Sequence, residues 1–568
     1  MTQQIFSYLL LSLLFVLAPL YSYPNLGGVG LNMPFNIAEW AMAIIFMGTV
    51  SFFSLQKQSF GYTRLFLYCL FFPFIIMLLS FFTEVAIVNV WLFRLLYIVA
   101  GFVFIMALLQ LKFTMTQVDQ LLYMIVVAMA IHTLVAVLQV IDISDYTRKI
   151  PMSGRSNSPF GLFQQVNLLA TYLVTGLMTI LFLISRPSFS AKPAFIKLSF
   201  IIVFGVAVYI VLATGSRVGL FSLLISMPVL LLSRRKQLVR HKRTFFSIIL
   251  VSGIAVLANT IFISPEYNSG LNKTMEKVHN LSQAEYKTYR EGMYKISIDL
   301  IWEKPLLGHG FTSFPRVWIE QKSRFITQYP NAAVSPLGTG HPHNELLLWL
   351  IEGGVVTGLG LFIIFLAICR ALYYCGWSRG GAYLALLLPI SLHTQTAWPF
   401  YGSAVHWFLW LFIIYIVFRH QQKSTKFILT PFTRYLLQII VVVLTVTSLY
   451  FLWHSHKAHD QLRDYMRGEQ ADMQLVLDNA YFHRFAEKVL MQSLLYTSIE
   501  KQNKVPIPNF IVWAEGRLAV NAEPGMFIML NDAYGFMDDK KNQCRIARKG
   551  IQVYPVNARL QKTVDKCL

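Results

Sequence analysis

Residues 194–243 read AFIKLSFIIVFGVAVYIVLATGSRVGLFSLLISMPVLLLSRRKQLVRHKR. Two apolar runs, 194 to 213 and 216 to 233, meet at Thr214-Gly215-Ser216-Arg217, a hairpin with almost no loop. The second run ends in a basic cluster of Arg234, Arg235, Lys236, Arg240, Lys242 and Arg243. An apolar helix of about 20 residues spans a hydrocarbon core of roughly 30 Å, and lysine and arginine gather in the loops that stay cytoplasmic. The stretch therefore predicts a membrane hairpin whose tip, carrying Arg217, points away from the cytoplasm.

The same reading extends outward in both directions. About thirteen apolar runs recur: 5 to 20, 36 to 54, 64 to 82, 89 to 109, 119 to 141, 165 to 185, the two above, 244 to 263, 344 to 370, 380 to 398, 404 to 419 and 432 to 453. The first lacks a basic start and is followed by further spans, so it reads as a retained helix rather than a signal peptide. The expected fold is all-α and polytopic. Of the 568 residues, 56% are hydrophobic and only 13% charged, a balance that a water-facing surface does not sustain. The net charge of +21 raises nucleic acid as a partner, but the cations sit between apolar runs and no nucleic-acid motif accompanies them. No nucleic acid is expected. Five cysteines without a CxxC pair or a Cys/His cluster give no metal-site pattern.

Basic residues fall in alternate loops: Lys57 and Arg64, Lys112, Arg186 and Lys192, the 234–243 cluster, Arg370 and Arg379, and Arg419 to Lys426. These loops and the N-terminus are assigned to the cytoplasm. Arg148, Lys149 and Arg155 fall on the other side, where cations suit an anionic ligand. Two large polar regions also face outward, residues 264–343 and the tail 454–568. The domain reading is 1–150, N-terminal membrane helices; 151–430, a catalytic membrane region with the loop 264–343; 431–453, the last membrane helix; and 454–568, a C-terminal helical domain. Helical spacing of Leu475, Leu477, Phe482, Phe485, Val489 and Leu490, with breaks at Pro506, Pro508 and Pro524, suggests helix pairs of tetratricopeptide type, although no clean period runs through the tail. Cys544 and Cys567 share this outward tail, which allows a disulfide between them or two separate thiols.

Ionisable and amide groups collect at the outward ends of the spans, where they are costly without a task. Arg217 stands where a guanidinium meets a phosphate; its other reading is an interfacial arginine. Arg290 begins a helical stretch, Tyr289 to Ile296, followed by the turn Pro305 to Gly310. His341-Pro342-His343-Asn344-Glu345 joins the outer loop to the next span and leads on to Glu352-Gly353-Gly354. A histidine accepts a proton near neutral pH, so His343 is the candidate general base, against a purely local helix cap. His341, Asn344 and Glu352 are expected to bind substrate or orient its neighbours. Gln164, Gln165 and Asn167 bring amides into a span from outside and suit sugar hydroxyls; the other reading is interhelical hydrogen bonding. His393 is a further candidate for the cavity wall, whereas His406 and the mid-span His132 read as packing.

In order, Gly161 to Asn167, Thr214 to Arg217, Arg290 with Pro305 to Gly310, and Pro342-His343-Asn344 with Glu352-Gly353 resemble the motifs of the Wzy/WaaL superfamily of O-antigen ligases and polymerases. The likeness covers about residues 150 to 410. The glutamine–asparagine segment, the outward helical tail and His393 to Pro399 look most like the PglL-type protein O-oligosaccharyltransferases, including those devoted to pilin-like acceptors. The resemblance implies a GT-C-like fold in the bacterial inner membrane with its active site in the periplasm. It also implies a polyprenyl-diphosphate (undecaprenyl) glycan as donor, Arg217 and Arg290 on the diphosphate, His343 activating the acceptor, and no metal or cofactor. His341 adds a second histidine to the motif, so the base is one of two. Within the enzyme class the rivals are a ligase and a polymerase; outside it, a lipid-glycan transporter, which would place polar groups at the midplane in two repeated halves. The chain shows neither feature.

Overall fold

The computed structural model describes residues 3–141, 158–262, 288–335 and 338–567, and nearly all of them are helical. Arg148, Lys149 and Arg155, and the first part of the 264–343 region, lie outside the described residues. Among the described residues ten helices are long and apolar enough to cross a membrane. The three remaining apolar runs also form helices: Gln3–Val16, the pair Arg64–Cys69 and Phe71–Leu79, and Trp377–Thr394. Proline explains the split pair, because Pro73 lacks an N–H and its ring clashes with the carbonyl four residues back, at Cys69, where the first helix stops. Leu224, Leu232, Phe246, Ile249 and Leu257 point outward from their helices, an apolar exterior that only lipid satisfies. The chain is an all-α, multi-pass membrane protein. Among the described residues β-structure is limited to one antiparallel pair, Ser59–Tyr62 with Lys423–Lys426, and a single bridge between Val85 and Phe311.

Two compact units interleave along the chain. The first comprises Met1–Leu70, Val99–Leu281 and Ile364–Lys457. At its centre Val166–Ile184 is buried along almost its whole length, packed by Met115–Ile141, Arg217–Val239 and Trp377–Thr394. Small residues permit the closest of these approaches: a Cβ on Gly219 would stand 2.5 Å from that of Ala170.

The second unit comprises Phe71–Ile98, Ser282–Ile363 and Ala458–Leu568. Tyr289–Glu303 and Phe314–Gln328 pack with the C-terminal helices His483–Glu500, Ile507–Val520, Pro524–Phe536, Lys540–Val553 and Ala558–Asp565. One apolar core joins Ile296, Trp318 and Leu348 to Phe510, Phe527 and Tyr554. Proline opens two of the C-terminal helices, where its missing N–H has no intrahelical partner to lose: Pro508 near the start of one and Pro524 at the start of the next. The apolar run from 344 forms the helix Glu345–Tyr374, interrupted at Gly354, whose φ of 62° and ψ of −165° are not helical. The freed positions are taken by the turn that begins at Pro305. Val355 donates to the Pro305 carbonyl at 2.8 Å and Val356 to that of Leu306 at 3.3 Å. The contact leaves no room for a side chain, since a Cβ on Gly354 would fall 2.2 Å from the Leu306 carbonyl oxygen.

Candidate active site

In the first unit, Gly215 turns the 214–217 hairpin with φ 65°. Ser216 then caps the helix Arg217–Val239: its Oγ accepts from the Gly219 N–H at 3.2 Å and donates to Asn167 Oδ1 at 2.7 Å. That pair of bonds ties the glutamine–asparagine segment to the arginine hairpin. Arg217 is exposed at the first helical position, where the helix dipole and the guanidinium both favour an anion. Gln164, in left-handed backbone at φ 56°, and Gln165 are exposed beside it in sequence. Gln139 sets the preceding turn, accepting from the Phe160 and Gly161 N–H groups at 3.0 and 2.8 Å. Sequence reading missed Gln139, although an amide near a span end is the signal it offers.

His393 is wholly buried, its Nδ1 2.9 Å from Thr171 Oγ1. His406 flanks the same threonine and lies 3.0 Å from the Leu168 carbonyl oxygen and 2.9 Å from Ser403 Oγ. His393 therefore sits inside the helix bundle of this unit, beside His406. His132 is buried against Phe163, their rings stacked at 4.5 Å.

The second unit gathers Arg290, His341, His343 and Asn344. A capping box, Thr288 with Glu291, fixes the start of the Arg290 helix. Asn344 caps the helix that follows, its Oδ1 accepting from the Leu347 N–H at 3.0 Å. Between them the His-Pro-His turn folds tightly. The His341 and His343 ring centroids are 6.4 Å apart, and His343 adopts φ 54°, a left-handed conformation uncommon outside glycine. His341 is buried, with Nε2 3.4 Å from Glu345 Oε1. His343 retains exposed surface. Burial first, then His341, then the positive charge of Arg290 lower the His343 imidazole to about 4, so it is neutral across the physiological range.

Glu352 belongs elsewhere. Its carboxylate is wholly buried and ion-paired with Arg94, and it accepts from the Phe314 N–H at 3.4 Å. Its carbonyl takes the Gly310 N–H at 2.9 Å, while that of Ile351 takes the His309 N–H at 2.8 Å. Glu352 thus knots the helix break to the 305–310 turn. Arg94 escaped the sequence reading; a lone charge within an apolar run was its signal. Cys544 and Cys567 are joined by a disulfide with Cα atoms 5.9 Å apart. Among the described residues no three His, Cys, Asp or Glu side chains converge as a metal site.

An all-α membrane protein that offers a neutral histidine beside an arginine, and exposes a second arginine at a helix start, has the parts for moving an anionic group. Residues 201–363 match the family model described as O-antigen ligase, and residues 382–567 match that described as virulence factor membrane-bound polymerase, C-terminal. Over these two segments the chain is similar to O-antigen ligases and to membrane-bound polymerases. No curated protein matches the chain. Arg217, Arg290, His341, His343, Asn344 and Glu352 lie within the ligase match; His393, Cys544 and Cys567 lie within the polymerase match.

Proposed function

We propose that the protein transfers an oligosaccharide from an undecaprenyl-diphosphate donor to a serine or threonine of a periplasmic, pilin-like acceptor protein, acting in the bacterial inner membrane. The observation that carries this reading is the neutral, partly exposed His343 held beside Arg290 within the ligase-matched segment. His343 takes the hydroxyl proton, the acceptor oxygen bonds to the anomeric carbon, and the bond from that carbon to the lipid diphosphate breaks with its electron pair leaving on phosphate. The developing negative charge is met by Arg290. The imidazolium then returns its proton to the departing diphosphate or to water. This chemistry calls on no cofactor. A protein acceptor is favoured because the C-terminal helices share one core with the Arg290 helix, which gives a soluble partner a folded surface on the unit that carries the base.

The polymerase-type match supports a second reading, in which another lipid-linked glycan is the acceptor. Both are tested by co-expressing the chain with a lipid-linked glycan and a pilin-like protein in cells lacking their own ligase. Glycopeptide found by mass spectrometry is the expected result; extended lipid-linked glycan with unmodified protein favours the polymerase, and no covalent product removes both.

A further inference from the structure

Lys322 is wholly buried in the helix Phe314–Gln328. Its Nζ donates to the Ser335 carbonyl at 2.7 Å and lies over two aromatic rings, 5.0 Å from the centroid of Trp318 and 4.3 Å from that of Tyr554. Trp318 is on its own helix; Tyr554 follows the C-terminal helix Lys540–Val553 and donates its hydroxyl to the Ala522 carbonyl at 2.8 Å. Ser335 belongs to the segment that leads to His341. On one side this segment crosses the Arg290 helix, where a Cβ on Gly292 would come within 3.3 Å of the Ala333 carbonyl oxygen. Farther on, a Cβ on Gly338 would stand 3.3 Å from the Tyr554 hydroxyl and 3.7 Å from Glu523 Cα.

We propose that Lys322 is a positioning residue that fastens the segment before the His341–His343 turn to the C-terminal helices, so that those helices set where the two histidines stand. An ammonium is costly to bury without a carboxylate, and an apolar side chain of similar length would fill the space at less cost. What the amine adds is a directed bond to one loop carbonyl, which it donates whether charged or neutral. Burial lowers Lys322 to about 7. No carboxylate contributes to that shift: the groups facing the amine are Trp318, the Ser335 carbonyl and Tyr554, whose own phenol burial holds neutral, and Glu523 beyond it is paired with Lys488. Because the buried amine prefers to be neutral, acid favours the state in which it reaches water. The segment is accordingly held more tightly above about pH 7 than below it.

The inference deepens the proposed function, since it concerns the same histidines, but its test does not need transfer to occur. Hydrogen exchange is followed on the full-length protein in nanodiscs, in peptides covering 329–335 and 338–345, at pH 6 and pH 8, with the intrinsic pH dependence of exchange removed. Wild type should exchange more slowly at pH 8. Lys322→Met should exchange about tenfold faster in these peptides at pH 8, the effect of losing one hydrogen bond to a buried carbonyl, and should lose the pH dependence, with the helices from 483 to 553 unchanged. Equal protection in Lys322→Met and wild type, or loss of protection spread evenly through those helices, overturns the proposal. If Lys322→Met does not assemble, the wild-type comparison decides alone: exchange that is flat between the two pH values overturns it. A wild type that transfers no glycan yet shows the expected exchange pattern removes the proposed function and leaves the positioning role standing.

Discussion

Arg94 and Glu352 form an ion pair in which the carboxylate is wholly buried and the guanidinium nearly so, at the point where the helix Glu345–Tyr374 breaks and the 305–310 turn docks. Removing one partner leaves the other as an unpaired buried charge, at a cost of about 3 to 5 kcal/mol. Arg94→Met and Glu352→Ala should each lower the thermal unfolding temperature of the detergent-solubilised protein sharply. The double variant should lose less than the sum of the two, because neither charge is then stranded. Additive losses in this cycle would separate the two residues.

His343 is expected to be indispensable and His341 less so. His343→Ala should reduce transfer by about 10²- to 10⁴-fold while the protein still inserts in the membrane, and His341→Ala should leave measurable turnover. The His343 imidazole is lowered to about 4, so the rate carried by the base is flat from pH 5 to 8 and falls only as pH drops through about 4. Stability has the matching sign: the folded state binds fewer protons here than the unfolded chain between about 4 and the ordinary histidine value of about 6.5, so stability contributed by this group rises with pH across that window. A rate that instead halves near pH 6.5 would point to a base in a different setting.

Arg290 lowers the His343 imidazole and faces the departing anion in the proposed reaction. Arg290→Ala should cut kcat by about 10²- to 10³-fold, the scale for losing one preorganised charge donor. It should also move the acid limb of the rate profile upward, because one of the positive groups holding His343 neutral is gone. Arg290→Lys keeps the charge without the planar fork and should recover the position of the limb better than the rate. A change in KM alone would assign Arg290 to ordinary substrate binding.

The disulfide between Cys544 and Cys567 ties the helix Lys540–Val553 to the end of the described chain across a separation of 23 residues. Closing a loop of this size restricts the unfolded chain by about 3 kcal/mol. Cys544→Ser should lower the unfolding temperature of the C-terminal helices, read by limited proteolysis across a heating series, and should leave the membrane helices unaffected. An unchanged cleavage midpoint would show that packing of Ile546, Ala547 and Leu560 suffices without the bridge.

The two turns that carry Arg217 and His343 were legible because their signals are local. The Thr-Gly-Ser-Arg hairpin and the His-Pro-His-Asn turn each announce themselves within a few residues, and in the structure Ser216 and Asn344 are the caps that such residues make. The break at Gly354 was not legible: two successive glycines within an apolar run are equally compatible with an unbroken helix until a distant carbonyl, here that of Pro305, takes the neighbouring Val355 N–H. His393 needed the tertiary structure: its sequence position does not say that Thr171 and His406 stand beside it.

Apolar run length and the alternation of basic loops determined that the chain is an all-α membrane protein, because the bilayer imposes a length and a charge bias that any single segment must satisfy by itself. Tertiary structure alone decided that Glu352 serves Arg94 and that the C-terminal helices share a core with the Arg290 helix, their Tyr554 covering the buried Lys322. Those relationships join residues far apart in the chain through packing. No local periodicity encodes which buried charge meets which partner.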